Sequence, residues 1–228
     1  MTGLLPKHRA SIAQEFYDEL RQRILSSELL PGSAISEVSC AEQLGVSRTP
    51  VREVFRRLAD EGFLEIRPQV GTFVAPIRLA AVHDSQFIRE TLECRTIRLA
   101  VERATPADDA ALQRHLERQR PTVLGGDYRA FFPADDAMHV ELIRMAGREA
   151  IWTVIQNVKS QLDRVRYLSF ESHDWLGKIF EEHVRLVQFV AERDADRAEA
   201  MMREHLRTVF AAIERLMVTK PHFFAPCR

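Results

Sequence analysis

Residues 45–74 read GVSRTPVREVFRRLADEGFLEIRPQVGTFV. Ser47 is placed to cap a helix running to about Asp60, with Pro50 tolerated in the first turn, where a missing N–H is no loss. On a wheel of about 100° per residue with Arg48 at zero, Arg52 falls near 40°, Arg56 near 80° and Thr49 near 100°. Val51, Val54, Phe55 and Leu58 fall between about 240° and 340°. One face is thus apolar and fit to pack, and its neighbour is a row of arginines beginning at the helix N-terminus. Downstream, Phe63, Leu64 and Ile66, then Pro68 to Gly71, then Thr72, Phe73 and Val74 predict a small hairpin. It is the only convincing strand signal in the chain.

Upstream, SEVSCAEQLG predicts a short helix from Ser36 to Leu44 with Gly45 at its C-terminus. Before it, Ile12, Phe16, Leu20 and Ile24 recur at steps of four and predict a helix over 11–27, stopped by Pro31-Gly32. Three short helices and a hairpin are the order of a winged helix-turn-helix. In that motif the first residues of the third helix meet base edges in the major groove. Arginine suits the role because its fork donates to guanine O6 and N7 together. Thr49 can reach a phosphate or a thymine methyl. Gly71 at the hairpin tip lets the backbone approach DNA closely. A solvated charged surface is the competing explanation of the arginine row, since residues 1–78 hold ten Lys/Arg and ten Asp/Glu.

After Pro76 the pattern is helical throughout. Helices are predicted near 82–104, 106–119, 127–146, 149–170, 174–193 and 195–217, separated by Thr105-Pro106, Pro121 to Gly126, Gly147, Ser172-His173 and Asp194. The expected fold is mainly α: an N-terminal winged helix-turn-helix over 1–76, a linker at 77–82, and a six-helix antiparallel bundle over 83–228. The tail beyond Lys220 is expected to be loosely held.

The 228 residues are 46% hydrophobic and 29% charged, enough apolar material for a core. Thirty-two Lys/Arg against 33 Asp/Glu exclude a blanket polycation but leave room for a local basic patch. Cys40, Cys94 and Cys227 form no C-x-x-C pair and imply no disulfide framework. The first residues lack the apolar stretch of a secretion signal, and no apolar run reaches a membrane span, so a cytoplasmic protein without membrane contact is expected.

Three histidines sit where this residue is costly. His139 has Leu142 and Ile143 at +3 and +4; His183 has Phe180 at −3 and Leu186 and Val187 at +3 and +4; His205 has Met201 at −4 and Val209 at +4. Each lies on or beside an apolar stripe and so points towards the bundle core. Asp135 lies one turn before His139 on the same face. Singly, each histidine fits a hydrogen-bonded core residue. Three imidazoles and one carboxylate together suit a divalent transition metal such as zinc, nickel or manganese.

Residues 10–76, including LLPGSAISE and the stretch quoted first, closely resemble the DNA-binding domain of the GntR family of bacterial transcription regulators. The resemblance implies a winged helix with DNA contacts at Ser47, Arg48, Thr49, Arg52 and Gly71; Arg56 continues the row. Cys40, where the family usually has leucine, is a packing change. Residues 80–217 resemble the FCD effector domain of the FadR-type branch through FIRETLECRTIRLAVERAT, ADDAMH and EEHVRLVQFVAERDADRAEAMMREHL. That domain often carries a metal site, and its ligand positions fall on Asp135, His139, His183 and His205. Six bundle helices point to the VanR-like subgroup. Met138 and Arg148, where phenylalanine and asparagine are usual, alter the pocket but remove no ligand.

An octahedral ion with four protein ligands leaves positions for a small carboxylate effector, to which many FCD regulators answer. Arg89 could clamp it, or pair with Glu93 at i+4. Asn157, Gln161 and Arg164 form a polar stripe at i, i+4, i+7, beside an apolar face of Ile151, Val154, Val158, Leu162 and Val165. The expected function is a ligand-responsive transcription regulator, a repressor, binding palindromic double-stranded operator DNA as a homodimer. The alternatives are a metalloenzyme using the Asp/His₃ site and a sensor of the metal ion itself. Nothing resembling HExxH, GxSxG or paired Glu-x-x-His accompanies the histidines, so a non-enzymatic role is expected.

Overall fold

The structure is a computed structural model that describes residues 6–169 and 173–226. The expected punctuation at Ser172, the first residues of the leader reading and Cys227 lie outside the described residues.

Two compact units are present, residues up to 79 together with 220 onward, and residues 80–219. In the first, α1 (Pro6–Leu25) is followed by β1 (Ala34–Ile35), α2 (Glu37–Leu44), α3 (Arg48–Asp60), β2 (Leu64–Arg67) and β3 (Gly71–Val74). Ser36 caps α2 by accepting from the Ser39 N–H at 3.3 Å, and Gly45 ends it at φ 63°, the left-handed conformation a Cβ disfavours. Ser47 holds the cap position of α3 in extended backbone without a side-chain cap bond. The apolar face of α3 is buried as its spacing predicts, with Phe55 and Leu58 at 0% exposure, and it packs on α1, where Phe16 and Phe55 stack with centroids 6.4 Å apart.

Two features of this unit depart from the sequence reading. The hairpin pairs Leu64 with Val74 and Arg67 with Gly71, but β1 joins it and makes a three-stranded antiparallel sheet of order β1-β3-β2. A strand of two residues is too short for alternation to announce. The tail is not loose: a 3₁₀ turn at Pro221–Phe223 buries Phe223 and Phe224, and Ile77 exchanges backbone bonds of 2.8 Å with Phe223 and Ala225. Residues 220–226 therefore complete the first unit instead of extending the helical one.

The second unit contains α4 (Leu79–Arg103, its first residue shared with the first unit), α5 (Pro106–Leu124), α6 (Tyr128–Met145), α7 (Ala150–Val158), α8 (Ser160–Ser169), α9 (His173–Ala191) and α10 (Ala195–Thr219). Thr105 and Asp108 form a capping box at the start of α5, and Asp127 caps α6 by accepting from the Ala130 N–H. The helix expected over 149–170 is interrupted at Lys159. Backbone bonds still run through the interruption, Lys159 N–H to Ile155 O and Asp163 N–H to Lys159 O, so the periodicity continues and hides it. What distinguishes Lys159 is burial: its ammonium donates to Asp136 at 2.8 Å and Asp163 at 2.7 Å, and a buried cation needs such partners. The apolar face expected over 151–165 is partly formed: Leu162 and Val165 are buried, but Val154 is exposed.

Candidate functional site: an arginine face and a buried histidine cluster

Ser47, Arg48, Thr49, Arg52 and Arg56 are all exposed on the side of α3 away from its packed face. Arg48 Nη2 and Arg52 Nη2 lie 3.3 and 3.2 Å from the same oxygen, Glu37 Oε2, in the first turn of α2. One carboxylate thus holds two guanidiniums at the N-terminus of the helix; the sequence reading did not single it out. An exposed pair of this kind contributes on the order of 1 kcal/mol at most, so a nucleic-acid acceptor can displace it. At the hairpin tip Gly71 has φ 143°, Gln69 has φ 62°, and Val70 projects into solvent.

In the helical unit, Asp135 and His139 from α6, His183 from α9 and His205 from α10 come together, with one ligand atom of each within 4.8 Å of the others. All four are buried. Each imidazole turns Nδ1 to an acceptor outside the cluster. His139 Nδ1 lies 2.6 Å from Glu93 Oε2, His183 Nδ1 2.7 Å from Gln119 Oε1, and His205 Nδ1 2.9 Å from Glu182 Oε2. Those acceptors are held in turn. The Gln119 amide donates to Ala134 O, which fixes its oxygen towards His183, and Thr208 Oγ1 donates to Glu182. For His183 and His205 these acceptors favour the proton on Nδ1 and leave Nε2 for the cluster, the usual outer-sphere pattern of metal-bound histidine; His139 Nδ1 is near Glu93 Oε2 but not aligned with it for a hydrogen bond.

The Nε2 atoms of His139 and His205 stand 3.3 Å apart, the separation of two nitrogens each about 2.0–2.1 Å from one tetrahedral ion. His183 Nε2 and Asp135 Oδ1 lie 3.5 Å apart, and neither has a hydrogen-bond partner although both are buried. Orphaned buried acceptors are costly, and a shared cation satisfies them. Burial pushes His183 well below its ordinary pKa, and burial also lowers His205, so both favour the neutral, metal-competent form. Burial alone would raise the Asp135 carboxyl, but the Arg166 guanidinium beside it holds it well below the usual carboxylate range.

Contacts running outward bring five carboxylates (Glu93, Asp135, Asp136, Asp163 and Glu182) against three cations, Arg89, Lys159 and Arg166. Among the described residues, with neutral imidazoles, these groups carry two surplus negative charges. The sequence reading found the four central residues and missed Glu93 in this role, Gln119, Glu182 and Arg166. Only the adjacency of Glu182 to His183 hinted at any of them.

Of the expected effector residues, Arg89 is buried and bonded to Glu93 at 2.6 Å, with its Nη2 unpartnered. Arg164 is also buried, its Nη1 lacks a partner, and desolvation lowers it to about 10. The single polar stripe over 157–164 is not formed: Asn157 is exposed on α7, while Gln161 and Arg164 are buried on α8 beyond the break. A small cavity of about 30 Å³ touches Gln86, Arg89, Asp135, Arg166, Trp175 and His205.

Residues 12–74 match the bacterial regulatory proteins of the gntR family, and residues 84–208 match the FCD domain. The chain belongs to the GntR family and carries an FCD effector-binding domain. It is 38% identical to an HTH-type transcriptional regulator in an unstable DNA locus of Streptomyces ambofaciens, over 93% of this chain and 89% of that protein. It is 32% identical to the HTH-type transcriptional repressor RspR of Escherichia coli K12, over 94% of each chain. The fold is shared with E. coli McbR/YncC at a TM-score of 0.74 and 22% identity, over 90% of this chain and 97% of that one. The protein is accordingly a transcription regulator of a DNA-binding family, and the metalloenzyme alternative falls, since the domains and relatives are those of regulators. Among the described residues no helix is long and apolar enough to cross a membrane.

Proposed function

We propose that this regulator is a cytoplasmic, nucleoid-associated repressor that binds a palindromic operator as a homodimer and is released by a small carboxylate effector. Ser47, Arg48, Thr49, Arg52 and Arg56 face the DNA and Gly71 contacts its backbone. The exposure of this row beside a fully packed helix face supports the assignment, and the repressor named among the relatives supports the direction of control. A net-neutral head has little electrostatic attraction for one half-site, which favours two heads on a two-fold operator. The VanR-like subgroup follows if α7 and α8 are counted as one helix interrupted at Lys159.

Asp135, His139, His183 and His205 hold one divalent transition ion, zinc, nickel or manganese. The observation that carries this reading is the convergence of one ligand atom from each of the four buried residues, with His183 and His205 turning Nδ1 to hydrogen-bonded outer acceptors and His139 Nδ1 close to Glu93. When bound, the ion supplies a Lewis-acidic centre to which a carboxylate can attach. Arg89 or Arg164, each with an unpartnered buried Nη atom, supplies the clamp, and Arg89 is the one that lines the cavity beside Asp135. A cavity near 30 Å³ holds on the order of one or two waters, less than a carboxylate needs, so effector binding and a change in the helical unit occur together.

The deciding experiment measures metal content of dialysed protein and operator release by a panel of small carboxylates, for the native chain and for His183→Ala. The expected result is about one ion per chain and carboxylate-dependent release, with both lost in the variant. Substoichiometric metal that does not rise on adding zinc, nickel or manganese refutes the site. Release by metal alone, with no response to carboxylates, would instead identify a metal sensor.

A further inference from the structure

Arg166, on α8, is a nearly buried guanidinium set among three aspartates. Its Nη2 donates to Asp135 Oδ2, and its Nη1 lies 3.1 Å from Asp136 Oδ1 and 3.3 Å from Asp163 Oδ1. It also lies over the Phe132 ring, 4.9 Å from the centroid. Lys159 donates to both Asp136 and Asp163 and locks these carboxylates in turn. The guanidinium therefore cannot swing away from Asp135 without weakening the pairing of two other carboxylates, a costly step for buried charge. Asp135 is divided between two neighbours. Its Oδ2 is taken by Arg166, while its Oδ1 has no donor and faces His183 Nε2.

Resting on the metal-site reading above, we infer that Arg166 is a fixed competitor for Asp135 that sets how tightly the cluster holds a divalent cation. Two effects act in the same direction. A charge-assisted bond to a guanidinium draws on the carboxylate electron density that a cation needs. A permanent positive charge beside a ligand also repels a second one, with little water to screen it. The orienting bond that Arg166 gives Asp135 works the other way, but Asp135 is already placed one helical turn from His139 by α6, so the charge effect dominates. A fixed cation, unlike a mobile one, keeps this opposition in force when the ion arrives. The site is thereby tuned to load and unload an ion, where four unopposed ligands would hold it as a permanent structural part. This residue is a positioning and affinity-setting group, distinct from the clamp proposed at Arg89 or Arg164.

The test uses the full chain. Affinities for zinc, nickel and manganese are measured by competition with a chromophoric chelator, and melting is followed with chelator and with saturating metal. Arg166→Gln removes the like charge beside Asp135 and is expected to bind about tenfold more tightly than the native chain, to melt lower in chelator, and to show a larger metal-dependent rise in Tm. Arg166→Lys keeps the positive charge beside Asp135 and is expected to stay within about threefold of the native affinity. Because Arg166→Gln takes one cation from Asp163, the double variant Arg166→Gln/Asp163→Asn gives the same measurement with one fewer uncompensated carboxylate, again about tenfold tighter. Unchanged or weaker binding in both glutamine variants overturns the proposal and makes orientation the role of Arg166. If the native chain and all the variants are folded and bind no ion, the metal-site reading itself fails.

Discussion

Replacing Gln119 by methionine tests whether the outer acceptors, and not the ligands alone, make the cluster a metal site. Gln119 is fully buried; its Oε1 lies 2.7 Å from His183 Nδ1 and its Nε2 donates to Ala134 O at 3.1 Å. Methionine keeps length and volume but cannot accept the Nδ1 proton, so the imidazole loses both its tautomer bias and its ring orientation. Outer acceptors of this kind contribute about tenfold to a hundredfold in metal affinity. At the lower end that is about 1.4 kcal/mol of binding free energy. At a fixed metal concentration well above Kd, the stabilisation conferred by metal falls by the same amount. For a domain of roughly 150 residues each kcal/mol moves Tm by about 2–4 °C, so the metal-dependent rise in Tm should shrink by about 3–6 °C. The assay is a pair of thermal melts, with chelator and with a fixed excess of zinc, for both proteins. The difference between the two shifts removes the cost of Gln119→Met to the metal-free fold. An unchanged shift, with equal affinity in a chelator competition, would falsify the account of Nδ1 given above.

Arg48→Ala or Arg52→Ala is expected to cost about 1–3 kcal/mol of operator affinity and to relax preference at one position, measured by binding to a panel of single-base operator variants; a loss uniform across the panel shows phosphate contact instead. Phe55→Ala empties a fully buried site between α1 and α3 and should destabilise the first unit by about 3–5 kcal/mol in urea unfolding; a loss below about 1 kcal/mol contradicts the packing described. In chelator, stability should fall as pH drops below about 6.5. His183 and His205 have folded pKa values depressed by burial, so the unfolded chain binds more protons there and stability is lost as pH falls; the slope approaches about 1 kcal/mol per pH unit for His183, the more strongly depressed, and His205 adds to it. Asp135 and Glu93, also depressed, add their loss only below about pH 4–4.5. Flat stability between pH 7 and pH 5 would contradict the neutral assignment of these two rings.

The third helix was legible because its cause is local. Four apolar residues at helical spacing must face inward, and Val51, Val54, Phe55 and Leu58 do. His139, His183 and His205 were legible for the same reason, since each stands on a stripe that has to be buried. The groups opposite them were not. Gln119 is 64 positions from His183, and Arg166 is 31 positions from Asp135; periodicity tells which face turns inward but not what it meets. Lys159 was hidden because the backbone bonds carry the pattern across the break, and only its burial against Asp136 and Asp163 marks it. The strand β1 has two residues, below the length at which alternation carries information.

The bridge between Ile77 and Phe224 has a consequence for how the chain is made. The first unit draws its last layer from residues 220–226, which the ribosome adds only after the whole helical unit has been synthesised. Until then Ile77, fully buried in the finished protein, lacks its backbone partners and the aromatic pair Phe223 and Phe224 that come with them. A nascent winged helix therefore emerges first yet is finished last, and the effector domain has its full sequence available for folding before the DNA-binding unit closes. The same order means that a shortened chain ending at the linker is not equivalent to the head of the intact regulator.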